Sequence, residues 1–517
     1  MILKRLLFIS LFALVIVSCN KKGFLEEKPY SFLSSDALYS SDAGARAALT
    51  GCWSSISTLQ GYGANYSLVL DLTSGGWFNQ AAAYKEMNAL TYTASSTYLD
   101  AVSPYKAFYG GIAVANDIIA KLPDGNVSAG LKDNLLGQAY LIRGMIYFNL
   151  VRMYGGVPLR LLPTTKEDVS LPRASKNDVY AQIITDLEKA AQLLPLKAGQ
   201  EVGRPAKYAA VALLGKVYIA MAGGDNLSPY WQKAKDALLE VVNSNQYSLV
   251  PKFQDLWDIN KQNSQESIIE IQFSRDGAEN SMSNFYTPTG TVATPLVTNG
   301  PFGRHRPNKE SYTWHTIQYP GDPRIDATYF HDQLTRLDGT IVKIWPQNKA
   351  GQGFPYMKKY VDPGFVSRKT SCNFIYLRYA DVLLSLAEAE NEINGPDDAY
   401  QYVNEVLNRA RTSISPASAE PQDYSGMTQE EFRTRIMLER RYELMGEVHL
   451  WYDTRRRGQD YLFNFFTQHN NFSLNGGLNL SFDYKYNLDA KYLLLPIPSS
   501  EINNNTAMTP SDQNPGY

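Results

Sequence analysis

The sequence has little excess charge and few of the residues on which catalysis and metal binding usually depend. Charged side chains make up 19% of its 517 residues and the net charge at pH 7 is −2, so the overall charge favours neither nucleic acid nor an anionic membrane surface as a partner. The five histidines are scattered, without the spacing of metal ligands. We therefore predict no metal site and no nucleic-acid partner.

Sequence motifs of the common catalytic and nucleotide-binding sites are missing as well. There is no Gly-x-Ser-x-Gly elbow, no Walker loop and no complete dinucleotide-binding glycine motif. A glycoside hydrolase needs only two carboxylates about 5–10 Å apart, and such a pair remains open among the 51 acidic residues. These absences favour a protein that is not an enzyme and needs no cofactor, with a hydrolase as the less favoured alternative.

The N-terminal segment indicates export. Lys4 and Arg5 precede an apolar run, residues 6–17, that is too short to span a bilayer, which predicts a signal peptide over residues 1–18. The following cysteine ends the stretch Ile-Val-Ser-Cys, which resembles a bacterial lipobox. The resemblance implies that Cys19 is lipidated and that its acyl chains hold the protein on a membrane. Residues 19–30 then form a polar tether.

Cysteine is otherwise scarce. Only Cys52 and Cys372 remain in the chain after Cys19, and they lie far apart without a recognisable spacing. Two cysteines in an exported protein could form a disulfide, but we favour two small buried thiols.

Long amphipathic segments predict a mostly α-helical protein. Apolar residues recur at helical spacing in residues 131–153, 177–194, 208–222, 231–243, 376–393, 397–411 and 428–445. The pairs Gly155-Gly156 and Gly223-Gly224 predict the ends of the first and third of these helices. The spacing of Thr428 and Glu431 is typical of a capping box and predicts a helix start.

Two of these segments share a pattern of tetratricopeptide repeats. LLGQAYLIRG (135–144) and LLGKVYIAMAG (213–223) both contain Leu-Gly-x-x-Tyr followed by small residues. We expect Gly137 and Gly215 to allow close approach of a neighbouring helix, while Tyr140 and Tyr218 fill the space one turn away. Stacked helix pairs of this kind form a curved scaffold rather than a catalytic centre.

Two stretches have weak helical periodicity. Residues 244–371 are richer in Gly, Pro, Asn, Ser and Thr and contain a strand-like run at 268–273, and residues 71–103 include the sequence Gly-Gly-Trp-Phe-Asn. Loops this long are usually functional or disordered. We expect the ligand surface in these two stretches.

Seven segments, in order along the chain, resemble the SusD/RagB family of Bacteroidetes outer-membrane lipoproteins. They are FLEEKP (24–29), YLIRGMIYFNLVRMYGGVPL (140–159), GRPAKYAAVALLGKVYIAMAG (203–223), IYLRYADVLLSLAEAENEIN (375–394), YVNEVLNRARTS (402–413), ERRYELMGEVHLWYDTRRRG (439–458) and YLLLPIPSSEINNNTAMTPSDQNPGY (492–517). The resemblance implies a mostly α SusD-like fold with tetratricopeptide-like helix pairs and few short strands. The implied regions are the signal peptide, the tether, an N-terminal region 31–243, a loop-rich insertion 244–371 and a C-terminal region 372–517, with 244–517 forming one C-terminal domain.

The resemblance also implies a function. Such proteins capture a glycan, or in some members a peptide, and pass it to a SusC-like TonB-dependent outer-membrane transporter. The protein would be lipid-anchored in the outer membrane, facing the cell exterior, without catalysis or a cofactor.

The ligand-binding residues are chosen by chemistry, because the loops of the family do not align by motif. An aromatic ring can stack on the C–H face of a sugar, and polar groups can bind its hydroxyls. The candidates are Asp71, Trp77 and Asn79 in the first stretch, and Tyr286, Arg304, Trp314 and His315 in the second. For each ring, burial as a loop anchor is the alternative. Neutral sugars fit this composition, while Arg304 and its neighbours His305 and Arg306 could also serve an acidic one.

The stretch ERRYELMGEVHLWYDTRRRGQD (439–460) looks like an active site but is interpreted as scaffold. Glu439, Glu443 and Glu447 recur every four residues, as along one side of a helix, with Arg440 and Arg441 close enough to pair with them. The arginines at 455–457 can hold carboxylates or carbonyls of neighbouring helices.

Overall fold

The computed structural model describes residues 38–79, 81–277, 280–288, 303–336, 338–344, 355–475 and 484–517. Cys19 and the N-terminal tether lie outside these residues. The fold is mostly α-helical with few short strands, as predicted. Within the described ranges, no helix combines the length and the apolar character needed to cross a membrane.

The helices and strands are numbered in chain order. The helices are α1 Asp42–Ile56, α2 Asn65–Ser74, α3 Lys85–Asn88, α4 Thr97–Val102, α5 Tyr105–Lys121, α6 Ala129–Tyr154, α7 Lys176–Leu193, α8 Lys207–Ala222, α9 Tyr230–Asn243, α10 Met282–Tyr286, α11 Lys309–Gln318, α12 Pro323–Thr328, α13 Tyr379–Asn394, α14 Tyr400–Thr412, α15 Gln429–Glu443, α16 His449–Arg456, α17 Gln459–Asn475 and α18 Ser499–Asn504. The strands are β1 Trp77–Asn79, β2 Ser267–Ile271, β3 His305–Pro307, β4 Tyr329–Phe330, β5 Gln333–Thr335, β6 Ile341–Lys343, β7 Tyr356–Met357 and β8 Phe374–Arg378.

The long helices pack as successive pairs around one large core. α1 packs on α5, α6 on α7, α8 on α9, and α13 on both α14 and α15, while α7 also contacts α8 and α9 contacts α13. The ends of α6 and α8 fall where the glycine pairs predicted them, and Gly155 and Gly223 there have positive φ angles of 75° and 63°. Thr428 caps α15 through the predicted capping box with Glu431.

The two glycines of the repeat pattern have the predicted role in packing. A Cβ atom at Gly137 would lie 2.9 Å from the Leu194 side chain, and one at Gly215 would lie 2.6 Å from Leu238. Both distances are too short for carbon–carbon contact, so only glycine allows the neighbouring segment this close.

We expect Gly215→Ala to lower the free energy of unfolding by about 1–3 kcal/mol, because the added methyl group overpacks the contact between α8 and Leu238 of α9. Gly110 is the matched control: it lies on α5, is exposed, and has no atom within 4 Å of a Cβ built on it. Gly110→Ala should instead raise stability by about 0.5–1 kcal/mol through the better helix propensity of alanine. Urea unfolding of both variants measures the difference, and equal effects would contradict the packing role of Gly215.

Each strand has one antiparallel partner in a two-stranded sheet: β1 with β3, β2 with β8, β4 with β7 and β5 with β6. Of the predicted run at 268–273, residues 268–271 are confirmed as part of a strand, β2. The predicted start of the helix at residue 376 is wrong, since Tyr376 belongs to β8 and α13 begins at Tyr379. The reason is tertiary: β2 hydrogen-bonds to residues 374–378 and keeps them extended.

The three glutamates of the 439–460 stretch are buried, but their pairing differs from the prediction. α15 ends at Glu443, so Glu447 lies in the turn beyond it and does not continue the same helix face. Glu443 accepts hydrogen bonds from Arg324, Arg378 and Arg409, which come from three other elements. Arg440, predicted to pair within its own helix, binds Asp381 and Asp453 instead. The block therefore cross-links distant segments.

The arginines at 455–457 hold carboxylates and carbonyls of neighbouring segments, as predicted. Arg455 donates to the backbone carbonyls of Thr73 and Tyr492 at 2.6 and 3.1 Å. Arg456 binds Glu388 at 2.7 Å, and Arg457 lies 3.4 Å from Glu392. These contacts tie α16 and the turn after it to α13 and to the C-terminal segment.

The cysteines of the described ranges also behave as predicted. Cys52 and Cys372 are free and buried, and burial raises the pKa of each thiol to about 12. Both thiols are therefore protonated at neutral pH.

Candidate functional site

The two stretches predicted to carry the ligand surface meet in one pair of strands. β1 follows α2 and comes from the first stretch, and β3 comes from the second. The strands pair antiparallel, with Trp77 opposite Pro307 and Asn79 opposite His305. Candidates separated by more than 200 residues in the sequence thus lie side by side.

A buried cluster of aromatic and charged groups lies next to this strand pair. The Tyr286 hydroxyl donates to Asp71 Oδ2 at 2.7 Å, and His305 Nε2 lies 3.1 Å from the same oxygen. The Trp77 ring stacks on His305 with centroids 4.9 Å apart and meets Tyr286 edge-on at 5.4 Å. Burial and the charge of Asp71 raise the pKa of Tyr286 well above its usual value. This cluster joins α2, α10 and the two strands.

Trp77 does not offer an open ring to a ligand. Its side chain is only 1% exposed, and Asp71 and Tyr286 are 2% exposed each. The cavity that borders Asp71 and Trp77 measures about 10 Å³, enough for one water molecule. The prediction of an exposed platform at Trp77 is therefore wrong, because the indole ring is needed to pack the strand pair against α2.

Asn79 shapes the turn after β1. Its backbone N–H donates to Asn88 Oδ1 at 3.0 Å, its carbonyl accepts from Asn88 Nδ2, and its own Oδ1 accepts from the Ala81 N–H. The residue is 1% exposed, so these bonds fix the course of the chain leaving the strand.

The remaining candidates divide between interior and surface. His315 is fully buried, stacks on Tyr442 at 4.4 Å and lies 3.0 Å from Asp322, and burial lowers its pKa. Trp314 is half-buried, with the Arg441 guanidinium 5.3 Å from its ring. Arg304 is exposed. Of the seven residues, only Trp314 and Arg304 present side-chain surface to solvent.

Two tyrosines that the sequence did not single out stand at the surface of the first stretch. Tyr98, on α4, is 45% exposed and is the one aromatic side chain among the described residues that is classed as exposed. The half-buried Tyr84 meets it edge-on, with ring centroids 5.2 Å apart and planes at 89°. Burial raises the pKa of Tyr84 to about 12, so it stays neutral. Their stretch was predicted, but with 35 tyrosines in the chain no sequence signal separates these two from packing rings.

Arg304 lies at the same end of the strand pair as the segment that leads to Tyr84. The strands are antiparallel and Asn79 is opposite His305, so the chain before His305 and the chain after Asn79 both leave from this end of the pair. We use the name "rim" for Tyr84, Tyr98 and Arg304. Among all the residues that the structure describes, no group of three or more His, Cys, Asp or Glu side chains is placed to hold a metal ion.

Comparison with known families gives two matches that together span most of the chain. Residues 253–517 match the model described as "SusD family". Residues 23–219 match the model described as "Starch-binding associating with outer membrane". The second description associates the chain with the outer membrane.

Several individual proteins are similar to this chain over almost their full length. SusD-like protein P2 of Formosa agariphila is 29% identical over 98% of both chains. The solved structure of a laminarin-binding SusD-like protein has a TM-score of 0.68 at 23% identity, covering 92% of this chain and 99% of that one. Surface glycan-binding protein A from Bacteroides uniformis has a TM-score of 0.71 at 22% identity with the same coverage. At these identities the two structures show the shared fold. Because the family model alone covers more than half of the sequence, the chain belongs to the SusD family.

Proposed function

We propose that the protein binds a glycan at the rim and delivers it to a SusC-like TonB-dependent transporter, without catalysis. In this proposal Cys19 carries the lipid anchor and the rim faces the cell exterior. The observation that carries the proposal is the exposed Tyr98 ring, which the Tyr84 ring meets edge-on.

The chemistry of the rim suits a sugar. An exposed ring can stack on the apolar C–H face of a pyranose, and Tyr84 limits the freedom of Tyr98, so little conformational entropy is lost on binding. Arg304 supplies hydrogen-bond donors for hydroxyl groups or for an acidic substituent. The buried Asp71, Trp77 and Tyr286 hold on α2 the strand pair that begins next to Arg304.

The relatives support the ligand class. One neighbour in fold is described as laminarin-binding and another as surface glycan-binding, and the family model over residues 23–219 is described as starch-binding. Laminarin and starch are therefore the first polysaccharides to test.

We expect Tyr98→Ala to weaken glycan binding roughly tenfold or more, since loss of one stacking ring costs about 1–3 kcal/mol by analogy with aromatic–base stacking. Tyr98→Phe should retain binding because it keeps the ring. Tyr402→Ala, a half-buried tyrosine on α14, is the control for a tyrosine outside the rim. Affinity electrophoresis in laminarin and starch gels, followed by calorimetry, gives the comparison.

Several outcomes would contradict the proposal. If the Tyr98→Ala variant bound glycan as tightly as the unchanged protein, the glycan would not bind at the rim. Release of shorter sugars during the assay would identify an enzyme, and binding of peptides in place of all glycans would identify a peptide-capturing protein. Delivery is tested separately, by co-purification with the SusC-like transporter expressed from the same cells.

A further inference from the structure

A cavity of about 320 Å³, partly open to solvent, lies between the helices, and none of its lining residues belongs to the rim, β1 or β3. Residues of α6, α7 and α8 form one side of its wall, and residues of β8, α13 and α16 form the other. Pockets for small molecules typically measure about 300–1,000 Å³ and combine an apolar wall with a few placed polar groups. The size of this cavity falls within that range.

Much of the wall is apolar or aromatic. The rings and aliphatic groups that define it come from both sides of the cavity and include Phe148, Val151, Leu213, Ile219, Phe374 and Trp451. An apolar wall of this kind binds the apolar body of a ligand by removing it from water.

The three carboxylates of the wall are already held by cations of the protein. The pairs are Asp381 with Lys216 and Arg440, Asp453 with Arg440 and Arg456, and Glu447 with Lys359 and Arg378. These carboxylates therefore leave little negative charge to attract a cationic ligand into the cavity.

Three cations of the wall have no carboxylate partner within the described ranges: Arg152, Arg455 and Lys176. Arg455 donates to backbone carbonyls, and Lys176 is exposed. The Arg152 guanidinium is sandwiched between the rings of Phe148 and Tyr452, 3.6 and 3.5 Å from their centroids. Its Nε and Nη2 donate to oxygens of the protein, while Nη1 has no acceptor among the described residues. The wall thus has an excess of positive charge.

Two further polar atoms of buried residues in the wall lack partners among the described residues. Trp451 Nε1 is a donor without an acceptor, and Asp381 Oδ2 is an acceptor without a donor. Trp451 is 1% exposed and Asp381 is fully buried. Each of these two atoms has less than 1 Å² of surface that water can reach, so neither opens into the cavity, and His449 Nδ1 lies 3.8 Å from Asp381 Oδ2. Arg152 Nη1 is therefore the donor of the wall that is left for a ligand.

We propose that this cavity is a second binding site, for a small organic anion that carries a carboxylate on an aromatic or branched apolar body. The carboxylate accepts a hydrogen bond from Arg152 Nη1, and the apolar body contacts the apolar and aromatic side chains of the wall. An anion is favoured over a cation because the protein already neutralises the carboxylates of the wall.

Three compounds of one shape and different charge test the proposal on the full mature chain. Naphthylacetate, naphthylacetamide and naphthylethylamine are titrated by calorimetry and by ligand-observed NMR. We expect naphthylacetate to bind with one molecule per chain, at least tenfold more tightly than the amide, and the amine to bind most weakly. No binding by any of the three would overturn the site, leaving a cavity filled with water. Tightest binding by the amine would overturn the charge assignment.

Two variants locate the binding. Ala220→Phe places a ring into the cavity from α8 without removing a charge, and Arg152→Met removes the charge while keeping an unbranched side chain. Each variant should bind naphthylacetate at least tenfold more weakly. The control is Ala237→Phe, at a half-buried position of α9 outside the wall, which should leave the affinity unchanged. Unaltered affinity in a folded Ala220→Phe variant would contradict the location. Its glycan binding should stay unchanged, which separates this test from that of the rim.

Discussion

Replacement of Glu443 by alanine is expected to lower the free energy of unfolding by about 3–5 kcal/mol, the largest effect of any single substitution proposed for this chain. Glu443 is fully buried and accepts hydrogen bonds from Arg324 at 2.9 Å, Arg378 at 2.7 Å and Arg409. Burial by itself would raise its pKa, but the three guanidinium groups outweigh burial and lower the pKa well below its usual value. Without this carboxylate, the guanidinium groups remain buried with too little negative charge around them.

The control for this prediction is an ion pair at the surface. Arg46 and Glu201 pair with side chains 52% and 61% exposed, and exposed pairs of this kind contribute at most about 1 kcal/mol. Glu201→Ala should therefore change stability little. Glu443→Gln keeps the shape of the side chain and tests the charge alone. Its free energy of unfolding should therefore fall by nearly as much as that of Glu443→Ala. Urea unfolding at pH 7 measures all three variants, and a loss below about 1 kcal/mol for Glu443→Ala would falsify the cross-linking role.

The second large effect is a dependence of stability on pH that comes from His449. This residue begins α16, its side chain is 14% exposed, and its Nδ1 lies 3.8 Å from Asp381 Oδ2. Burial, together with the positive charges of Lys216 and Arg440, lowers its pKa to about 4, against the partial opposition of Asp381. The folded protein therefore keeps this imidazole neutral at pH values at which the unfolded chain is protonated.

The direction in which stability changes with pH follows from the protonation of His449 in the folded and unfolded chains. Above the unfolded pKa of about 6.5, neither state carries the proton and the full stability is present. As the pH falls from about 6.5 to about 4, the unfolded chain gains a proton that the folded chain does not, so stability falls by roughly 3 kcal/mol. The His449→Gln variant should lack the loss of stability that comes from protonation of His449 in the unfolded chain. Urea unfolding of both proteins at several pH values between 7.5 and 4 tests it, with pH 7.5 reporting any packing defect of the variant alone. If stability fell with pH by the same amount in both proteins, His449 would not be the cause of the pH dependence.

Local patterns were sufficient for most of the helical scaffold. The capping box at Thr428 and the glycine pairs after residues 154 and 222 act through neighbouring backbone, so helix boundaries could be predicted from short windows. The same holds for Gly137 and Gly215, where a repeated small residue indicates a close contact without naming the partner. Residues 376–378 were the exception, because their helical periodicity is overridden by pairing with a strand about a hundred residues earlier.

The candidate site shows the limit of such inference. Trp77 and Tyr98 lie in one predicted stretch and are both aromatic, yet one is 1% exposed and the other 45%. The difference arises because His305 and Tyr286, more than 200 residues away in the sequence, cover the indole ring. No local pattern carries that information.

The sequence by itself therefore determined the helical scaffold and the two stretches that meet at β1 and β3, because caps, glycines and periodicity are properties of neighbouring residues. The family was recognised from seven segments that resemble it. Only the tertiary structure decided which rings face solvent, which arginine binds each buried carboxylate, and that a cavity lies between α6, α8 and α16. Exposure and ion pairing depend on which distant segments come together, and that is settled when the whole core packs.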